Sequence, residues 1–160
     1  MSSYTAPPPH KRTPPMSDAP ARIQRSRAKG SRLPPNTVSV TRPGKFGNLS
    51  ACARPHHCGE DYCCLKQYRE FVTSGLENRS SIHGTLNVLI DAGAGYPYRT
   101  RLVKHLPELR GKNLACWCSL CDAHKSGKPL GVHCPDCTPC HADILLEIAN
   151  SATPHQRTPK

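Results

Sequence analysis

The fold is decided by Asn113-Leu114-Ala115-Cys116-Trp117-Cys118, an apolar run that predicts a buried β-strand. A loop rich in cysteine, glycine and proline follows over residues 119–139. Residues 140–149 then predict a helix, with an apolar face formed by Ile144, Leu145 and Ile148. Thr138 is the expected cap of this helix, and Pro139 suits its first turn. A strand that leads through a loop into a helix is typical of α/β folds.

Upstream segments continue this alternation of strands and helices. Residues 37–40 (Thr-Val-Ser-Val) carry β-branched side chains and predict a strand. Residues 62–74 and 98–105 predict helices, whereas residues 84–93 suit either a helix or a strand. We therefore predict one α/β domain over residues 37–150. It has a small Rossmann-like open sheet flanked by helices, with a cysteine-rich, zinc-knuckle-like loop insertion.

Both ends of the chain are expected to be disordered. Residues 1–36 hold eight of the seventeen prolines and few apolar residues, and residues 151–160 read as a short tail. Residues 1–36 also hold seven Lys and Arg and one acidic residue, Asp18. The net charge of this segment is therefore +6, out of a formal net charge of +11 for the whole chain. Such a basic arm is expected to attract nucleic acid or another polyanion, although a tail that only aids solubility has the same composition.

The sequence also indicates where in the cell the protein is expected. Prolines and charges fill the first 30 residues where a secretory signal has an apolar core, and no apolar run of 18 residues could span a membrane. We therefore expect a cytoplasmic protein, in the host cytoplasm if the source is viral, with no membrane partner. Its ten cysteines should be reduced there and available to metal ions. The oligomeric state is left open.

Two CxxC pairs are the strongest local signal, Cys118-Ser-Leu-Cys121 and Cys134-Pro-Asp-Cys137. Two such turns at this separation are the spacing of structural zinc ribbons, in which four thiolates surround one tetrahedral ion. The loop between them has too few apolar residues to fold alone, so metal binding would provide the missing free energy. We predict Zn2+ as the cofactor; the alternative is a set of reduced thiols without a ligand.

A second set of ligands competes for the same residues. Cys116 and Cys118 are two apart on a strand and face the same side, and Cys140 and His141 open the helix that returns beside it. If this set takes Cys118, the loop must use Cys121, Cys134 and Cys137 with a histidine, either His124 or His133. The sequence does not choose between the two arrangements.

Catalysis by the same residues is a further alternative. A thiol at a helix N-terminus has a lowered pKa, so Cys140 is a candidate nucleophile, with His141 and Asp143 as candidate partners. Adjacent residues of a helix point about 100° apart, which places His141 poorly as a base for Cys140. Asp143 is better explained by the helix dipole. A second metal site is an open alternative in another stretch that contains Cys52, His56, His57, Cys58, Cys63 and Cys64.

The loop after the first predicted strand is a candidate ligand site. It contains Arg42, Lys45 and Asn48, and α/β folds bind ligands at the carboxyl ends of their strands. Arg and Lys suit phosphate, and Asn can bind an amide or a base edge. A solvated Pro-Gly turn is the alternative interpretation.

Three segments together resemble the DUF4326 family of small phage and bacterial domains. They are residues 41–48 (Thr-Arg-Pro-Gly-Lys-Phe-Gly-Asn), 109–118 (Leu-Arg-Gly-Lys-Asn-Leu-Ala-Cys-Trp-Cys) and 140–150 (Cys-His-Ala-Asp-Ile-Leu-Leu-Glu-Ile-Ala-Asn). The family has no assigned reaction, so the resemblance implies a domain over about residues 37–150 and no activity. It also implies one shared site formed by Arg42, Gly47, Asn48, Cys116, Cys118, Cys140, His141 and Asp143.

Two departures from the family pattern concern this site. Leu49-Ser50 stands where the family has Pro-Phe, and the family's gap between Cys-Trp-Cys and Cys-His is usually short. The knuckle of residues 119–139 therefore looks like an insertion peculiar to this chain, and whether its metal is part of the shared site is left open.

These features lead to three hypotheses. The first is a zinc-stabilised module that binds or acts on nucleotides or nucleic acid. The second is a transferase or hydrolase acting on a nucleoside through Cys140 or a metal-activated water. The third is a structural module that binds a protein through its proline-rich arm.

Overall fold

A computed structural model describes residues 19–48, 64–73 and 95–151. This part of the chain forms four strands and three α-helices. The strands are β1 (Ala21–Gln24), β2 (Thr37–Ser39), β3 (Asn113–Cys116) and β4 (Lys128–Pro129). The helices are α1 (Cys64–Thr73), α2 (Gly95–His105) and α3 (His141–Asn150), and short 3-10 helices lie at Leu106–Leu109 and Asp122–His124.

The four strands form one mixed sheet in the order β2-β3-β1-β4. β3 lies in parallel between β2 and β1, with Leu114 opposite both Val38 and Arg22. β4 pairs with β1 antiparallel and is part of the cysteine-rich loop. The three parallel strands therefore end at one edge of the sheet, and the cysteine-rich loop is attached to its side. The predicted α/β class with an open sheet is confirmed.

The described helices cover one face of this sheet. Leu114 and Cys116 of β3 and Val40 after β2 are buried against the helices, as the two-residue repeat of a strand requires. Tyr68 and Phe71 of α1 complete the core, together with Leu102, Leu106, Leu109, Leu145 and Leu146. α3 packs on both β3 and β1. Its N-terminus lies beside the carboxyl ends of the parallel strands, since Cys140 groups with Cys116 and His141 contacts Val40.

The first strand corrects the predicted domain boundary. Residues 1–36 were predicted to be a disordered arm, but Ala21–Gln24 is an inner strand of the sheet, between β3 and β4. The prediction that the fold begins at residue 37 is therefore wrong. The segment has only one large apolar residue, Ile23, and its other buried side chain is the charged Arg22, so its strand character was not visible. Residues 1–18 and 152–160 lie outside the described residues.

The predicted helices are found with small shifts in their ends. Residues 62–74, 98–105 and 140–149 were predicted, and α1, α2 and α3 cover 64–73, 95–105 and 141–150. The predicted cap is wrong: Cys140 and not Thr138 caps α3, because the Cys140 sulfur accepts a hydrogen bond from Ala142 N. Residues 84–93 lie outside the described ranges. None of the described helices is long and apolar enough to cross a membrane.

Candidate metal centres

The first candidate centre, the loop cluster, consists of Cys121, His124, Cys134 and Cys137, whose donor atoms all lie within 4.8 Å of one another. Cys121 Sγ is 3.2 Å from His124 Nδ1 and 3.8 Å from Cys134 Sγ, and Cys137 Sγ is 3.4 Å from Cys121 Sγ. Zinc bonds of about 2.3 Å to sulfur and about 2.0 Å to nitrogen place tetrahedral ligands roughly 3.5–3.8 Å apart. The four side chains therefore fit one tetrahedral ion.

Local backbone turns bring these four donors together. The 3-10 helix Asp122–His124 directly follows Cys121 and turns His124 back toward it. A second turn brings Cys134 and Cys137 together, with Cys137 N donating to Cys134 O at 3.4 Å. Between the turns, Gly127 adopts φ of +138° and approaches Ile23 so closely that a Cβ would lie 3.0 Å from its Cδ1. The loop is thus held on the sheet by this close approach and by the pairing of β4 with β1, and the cluster lies beside these contacts.

The second candidate centre, the thiol cluster, consists of Cys116, Cys118 and Cys140, again with all sulfurs within 4.8 Å. Cys116 ends β3, and Cys118 Sγ lies 3.8 Å from Cys116 Sγ. Cys140 approaches from the N-cap position of α3. Cys116 and Cys140 are buried, while Cys118 is half-buried. The cluster therefore has one side that solvent can reach.

The thiol cluster favours a thiolate. Hydrogen bonds from Cys118 and then Cys140 lower the pKa of Cys116 to about 2. The same interactions, led by the hydrogen bond with Cys116, raise the pKa of Cys140, and burial adds to this effect. These pKa shifts favour negative charge on the Cys116 sulfur. A cluster of sulfurs that carries negative charge is a suitable site for a thiophilic metal cation.

His141 lies beside the thiol cluster and not within its group of donors. Its Nε2 is 2.8 Å from the carbonyl oxygen of Val40, so this nitrogen donates to it. Nδ1 lies 3.8 Å from Cys140 Sγ, and the ring packs edge-on against Tyr68. Of the predicted set of Cys116, Cys118, Cys140 and His141, the structure brings the three sulfurs together.

The assignment of Cys118 decides between the two arrangements that the sequence left open. Cys118 groups with Cys116 and Cys140, so the four-cysteine zinc ribbon of residues 118, 121, 134 and 137 is not the arrangement found. His124 takes the fourth place in the loop cluster, and His133 is exposed. The candidate nucleophile Cys140 is only 2% exposed, so a substrate cannot reach its sulfur in this conformation.

A buried arginine joins the elements around both clusters. The Arg22 side chain is 1% exposed, and its Nη1 lies 2.7 Å from Asp143 Oδ2. The same guanidinium donates to the carbonyl oxygens of Thr138 at 2.8 Å and Ser119 at 3.2 Å, while its buried Nε finds no acceptor among the described residues. Lys128 Nζ lies 3.2 Å from the other oxygen of Asp143. Asp143, predicted to complement the helix dipole or assist catalysis, thus holds β1 and β4 to α3. The sequence reasoning missed Arg22 because it assigned the residue to the arm.

A basic surface lies at the edge where the parallel strands end. We call it the strand-end surface; it consists of Arg25, Arg27 and Trp117, together with the exposed Arg42, which follows β2 at the same edge. The guanidinium carbons of Arg25 and Arg27 lie 4.4 Å and 4.9 Å from the Trp117 ring centroid. Arg25 also donates to the hydroxyl oxygens of Ser39 and Thr41 on the face of the sheet that α1, α2 and α3 leave uncovered.

The predicted ligand-binding residues of the loop after β2 are not brought into one surface. Arg42 is exposed, but Lys45 Nζ lies 2.7 Å from Glu108 Oε2 and Asn48 is buried. Gly47 is required in this loop because a Cβ would lie 2.7 Å from Arg42 Cγ. The sequence analysis did not name Arg25 and Arg27 as candidate ligand-binding residues. The alternation of basic residues at 25, 27 and 29 was the signal that could have identified them.

The remaining predicted metal residues are only partly described. Cys64 is buried at the start of α1, whereas Cys52, His56, His57, Cys58 and Cys63 lie outside the described residues. A cleft of about 370 Å³ lies between α1, α3 and the cysteine-rich loop. Its charged lining residues have both signs: Lys66, Arg69, Lys128, Asp143 and Glu147.

Comparison with known proteins gives a family and no activity. No curated protein matches the chain, and no solved structure matches it. The model of the family described as "Domain of unknown function (DUF4326)" matches residues 23–151, a range that begins within β1 and ends just after α3. The chain therefore belongs to the DUF4326 family.

Proposed function

We propose that this protein is a zinc-binding α/β domain whose strand-end surface binds the phosphate groups of a nucleotide or a nucleic acid. The observation that carries the proposal is the placement of Arg25, Arg27 and Arg42 at the carboxyl ends of β1 and β2. Open α/β sheets bind ligands outside the carboxyl ends of their strands.

The charge of this surface supports an anionic ligand. Within the described ranges, none of these three guanidinium groups has a carboxylate partner, unlike Arg22, Arg69 and Lys45. Planar guanidinium groups bind phosphate oxygens in a bidentate manner, and Trp117 holds two of them in place. Proteins that bind single-stranded nucleic acid also combine arginine with aromatic side chains.

The zinc part of the proposal rests on the loop cluster. Three sulfurs and one imidazole nitrogen at tetrahedral spacing suit Zn2+ better than the oxygen-preferring Mg2+ or Ca2+. When bound, zinc would be held by Cys121, His124, Cys134 and Cys137 and would fix the loop on which β4 lies. Metal analysis of the purified protein tests this part, and less than about half an equivalent of zinc per chain would contradict it.

Tryptophan fluorescence tests the ligand part, because Trp117 is the only tryptophan in the chain. We expect a titration with a nucleoside triphosphate or a single-stranded oligonucleotide to change the emission and to give a dissociation constant. Inorganic phosphate as a third ligand separates recognition of phosphate alone from recognition of a nucleotide. An oligonucleotide that binds far more tightly than either would identify nucleic acid as the ligand.

Three variants locate the binding surface. Arg27→Gln and Arg42→Gln should each weaken binding, and each lost phosphate contact should reduce the slope of log K against log salt by about 0.7 for a single strand. Arg101→Gln is the matched control, since Arg101 is an exposed arginine on α2, on the helical side of the sheet. Equal affinity in all three variants, or no emission change with any ligand, would contradict the proposal.

The basic residues before the first described strand are tested in the full chain. Deleting residues 1–36 would remove the inner strand β1, so neutralising Lys11 and Arg12 is the sharper change. If these residues add to the strand-end surface, Lys11→Ser with Arg12→Ser should lower affinity and flatten the salt dependence.

A further inference from the structure

The two candidate centres share their turns. Cys118 and Cys121 form one CxxC turn, and Cys137-Thr-Pro-Cys140 forms another. Each turn provides one sulfur for each centre. The first turn provides Cys118 for the thiol cluster and Cys121 for the loop cluster, and the second provides Cys140 and Cys137 in the same way. We propose that the thiol cluster binds a second zinc ion and that the two ions bind cooperatively through these shared turns. This inference rests on the zinc part of the proposed function.

The thiol cluster has the geometry for an ion of its own. The 3.8 Å between the Cys116 and Cys118 sulfurs is the separation of two tetrahedral ligands with zinc–sulfur bonds of about 2.3 Å. All three sulfurs are free thiols and converge from β3 and α3. They would fill three of four positions, and no further histidine, cysteine or carboxylate of the described ranges joins them. The fourth position is left for solvent or for a donor from another part of the chain.

Buried charge supports a metal at this place. Arg22 and Lys128 bring two cations against the single carboxylate of Asp143, which leaves one positive charge in excess. A divalent ion with three thiolates carries a net charge of minus one and would balance it. Arg22 also donates to the carbonyl oxygens of Ser119 and Thr138, the residues that follow Cys118 and Cys137. The guanidinium thus holds both turns at the point between the two centres.

The shared turns give a physical route for cooperativity. An ion in the loop cluster fixes Cys121 and Cys137, and each is only three residues from a sulfur of the thiol cluster. Thr138 N donates to Ser119 O at 3.1 Å, so the two turns are also joined directly. The first ion therefore orders the backbone that the second ion needs, which reduces the entropy cost of the second binding step. Coupling of this kind typically strengthens the second step roughly 5–150-fold.

Native mass spectrometry of the full chain with zinc added stepwise tests the inference. At saturation we expect two ions per chain. The loop cluster offers four donors and the thiol cluster three, so the loop cluster should fill first and the thiol cluster second. A saturation of one ion would overturn the inference and leave the proposed function standing. A saturation of zero would overturn both. A thiol cluster that binds zinc equally well in the parent chain and in the His124→Ala variant would overturn the cooperativity.

Two variants assign the ions to their centres. Cys140→Ser removes a ligand of the thiol cluster, yet serine is a good N-cap residue and keeps the start of α3. We expect this variant to retain one ion and a native circular dichroism spectrum; two bound ions would contradict the assignment. His124→Ala should weaken the binding of both ions, the second by at least about fivefold. The exposed His133 in the same loop is the matched control, and His133→Ala should bind zinc like the parent chain.

Discussion

Replacement of Arg22 by alanine should destabilise the protein far more than the loss of an exposed ion pair. The Arg22 and Asp143 side chains are 1% and 22% exposed, and the guanidinium also satisfies the carbonyl oxygens of Thr138 and Ser119. Removing one partner of a buried ion pair costs about 3–5 kcal/mol. Asp143 would keep Lys128 as a partner, so here the cost comes mainly from the carbonyl oxygens that lose their donor and from the cavity that the Arg22 side chain leaves. For a domain of about 130 residues this cost corresponds to a fall in melting temperature of roughly 11–18 °C.

The exposed pair of Arg69 and Glu147 is the control for this prediction. Its side chains are 45% and 46% exposed, so Arg69→Ala should cost no more than about 1 kcal/mol. Thermal and urea unfolding in excess zinc, followed by circular dichroism, measure both variants under conditions that keep metal content constant. If Arg22→Ala unfolds within about 1 kcal/mol of Arg69→Ala, Arg22 is not the buried connector described above.

Three further predictions concern the loop after β2, the metal and Tyr98. Gly47→Ala places a methyl group 2.7 Å from Arg42 Cγ, so urea unfolding should show a loss of about 1–3 kcal/mol. Acid should release zinc as the thiolates gain protons; dialysis at falling pH followed by metal analysis should show this loss, and retention of zinc at pH 4 would argue against thiolate ligands. Burial raises the pKa of Tyr98 to about 12. Its neutral form therefore stabilises the fold below pH 10, and this stability is lost as the pH rises toward 12. The phenolate absorbance of Tyr98→Phe, compared with that of the parent chain, reports this titration.

Much of the fold could be predicted because its helices follow simple periodic patterns. Apolar residues in α1 and α3 recur at helical spacing, and β3 is apolar throughout, so their positions are visible in the sequence. β1 was missed because local sequence contains no sign of a salt bridge 121 residues away. A buried arginine reads as a surface residue until its partner is known, and here the partner is Asp143 on the last helix.

The candidate site was predicted in its residues but not in its grouping. All seven cysteines and histidines of the two clusters were named, since CxxC spacing is a strong metal signal. The grouping depends on where Cys118 points. That direction follows from β3, because Cys116 and Cys118 face the helices while the intervening Trp117 faces the other side. The choice of His124 over His133 depends on the 3-10 helix after Cys121, which spacing alone does not specify.

X-ray absorption at the zinc edge is the most direct test that these side chains form metal centres. For the Cys140→Ser variant we expect one ion with three sulfurs at about 2.3 Å and one nitrogen at about 2.0 Å. For the parent chain we expect a set of directly bound atoms in which sulfur still predominates. A shell made only of nitrogen and oxygen would show that the converging thiols of the loop cluster and the thiol cluster do not bind the metal.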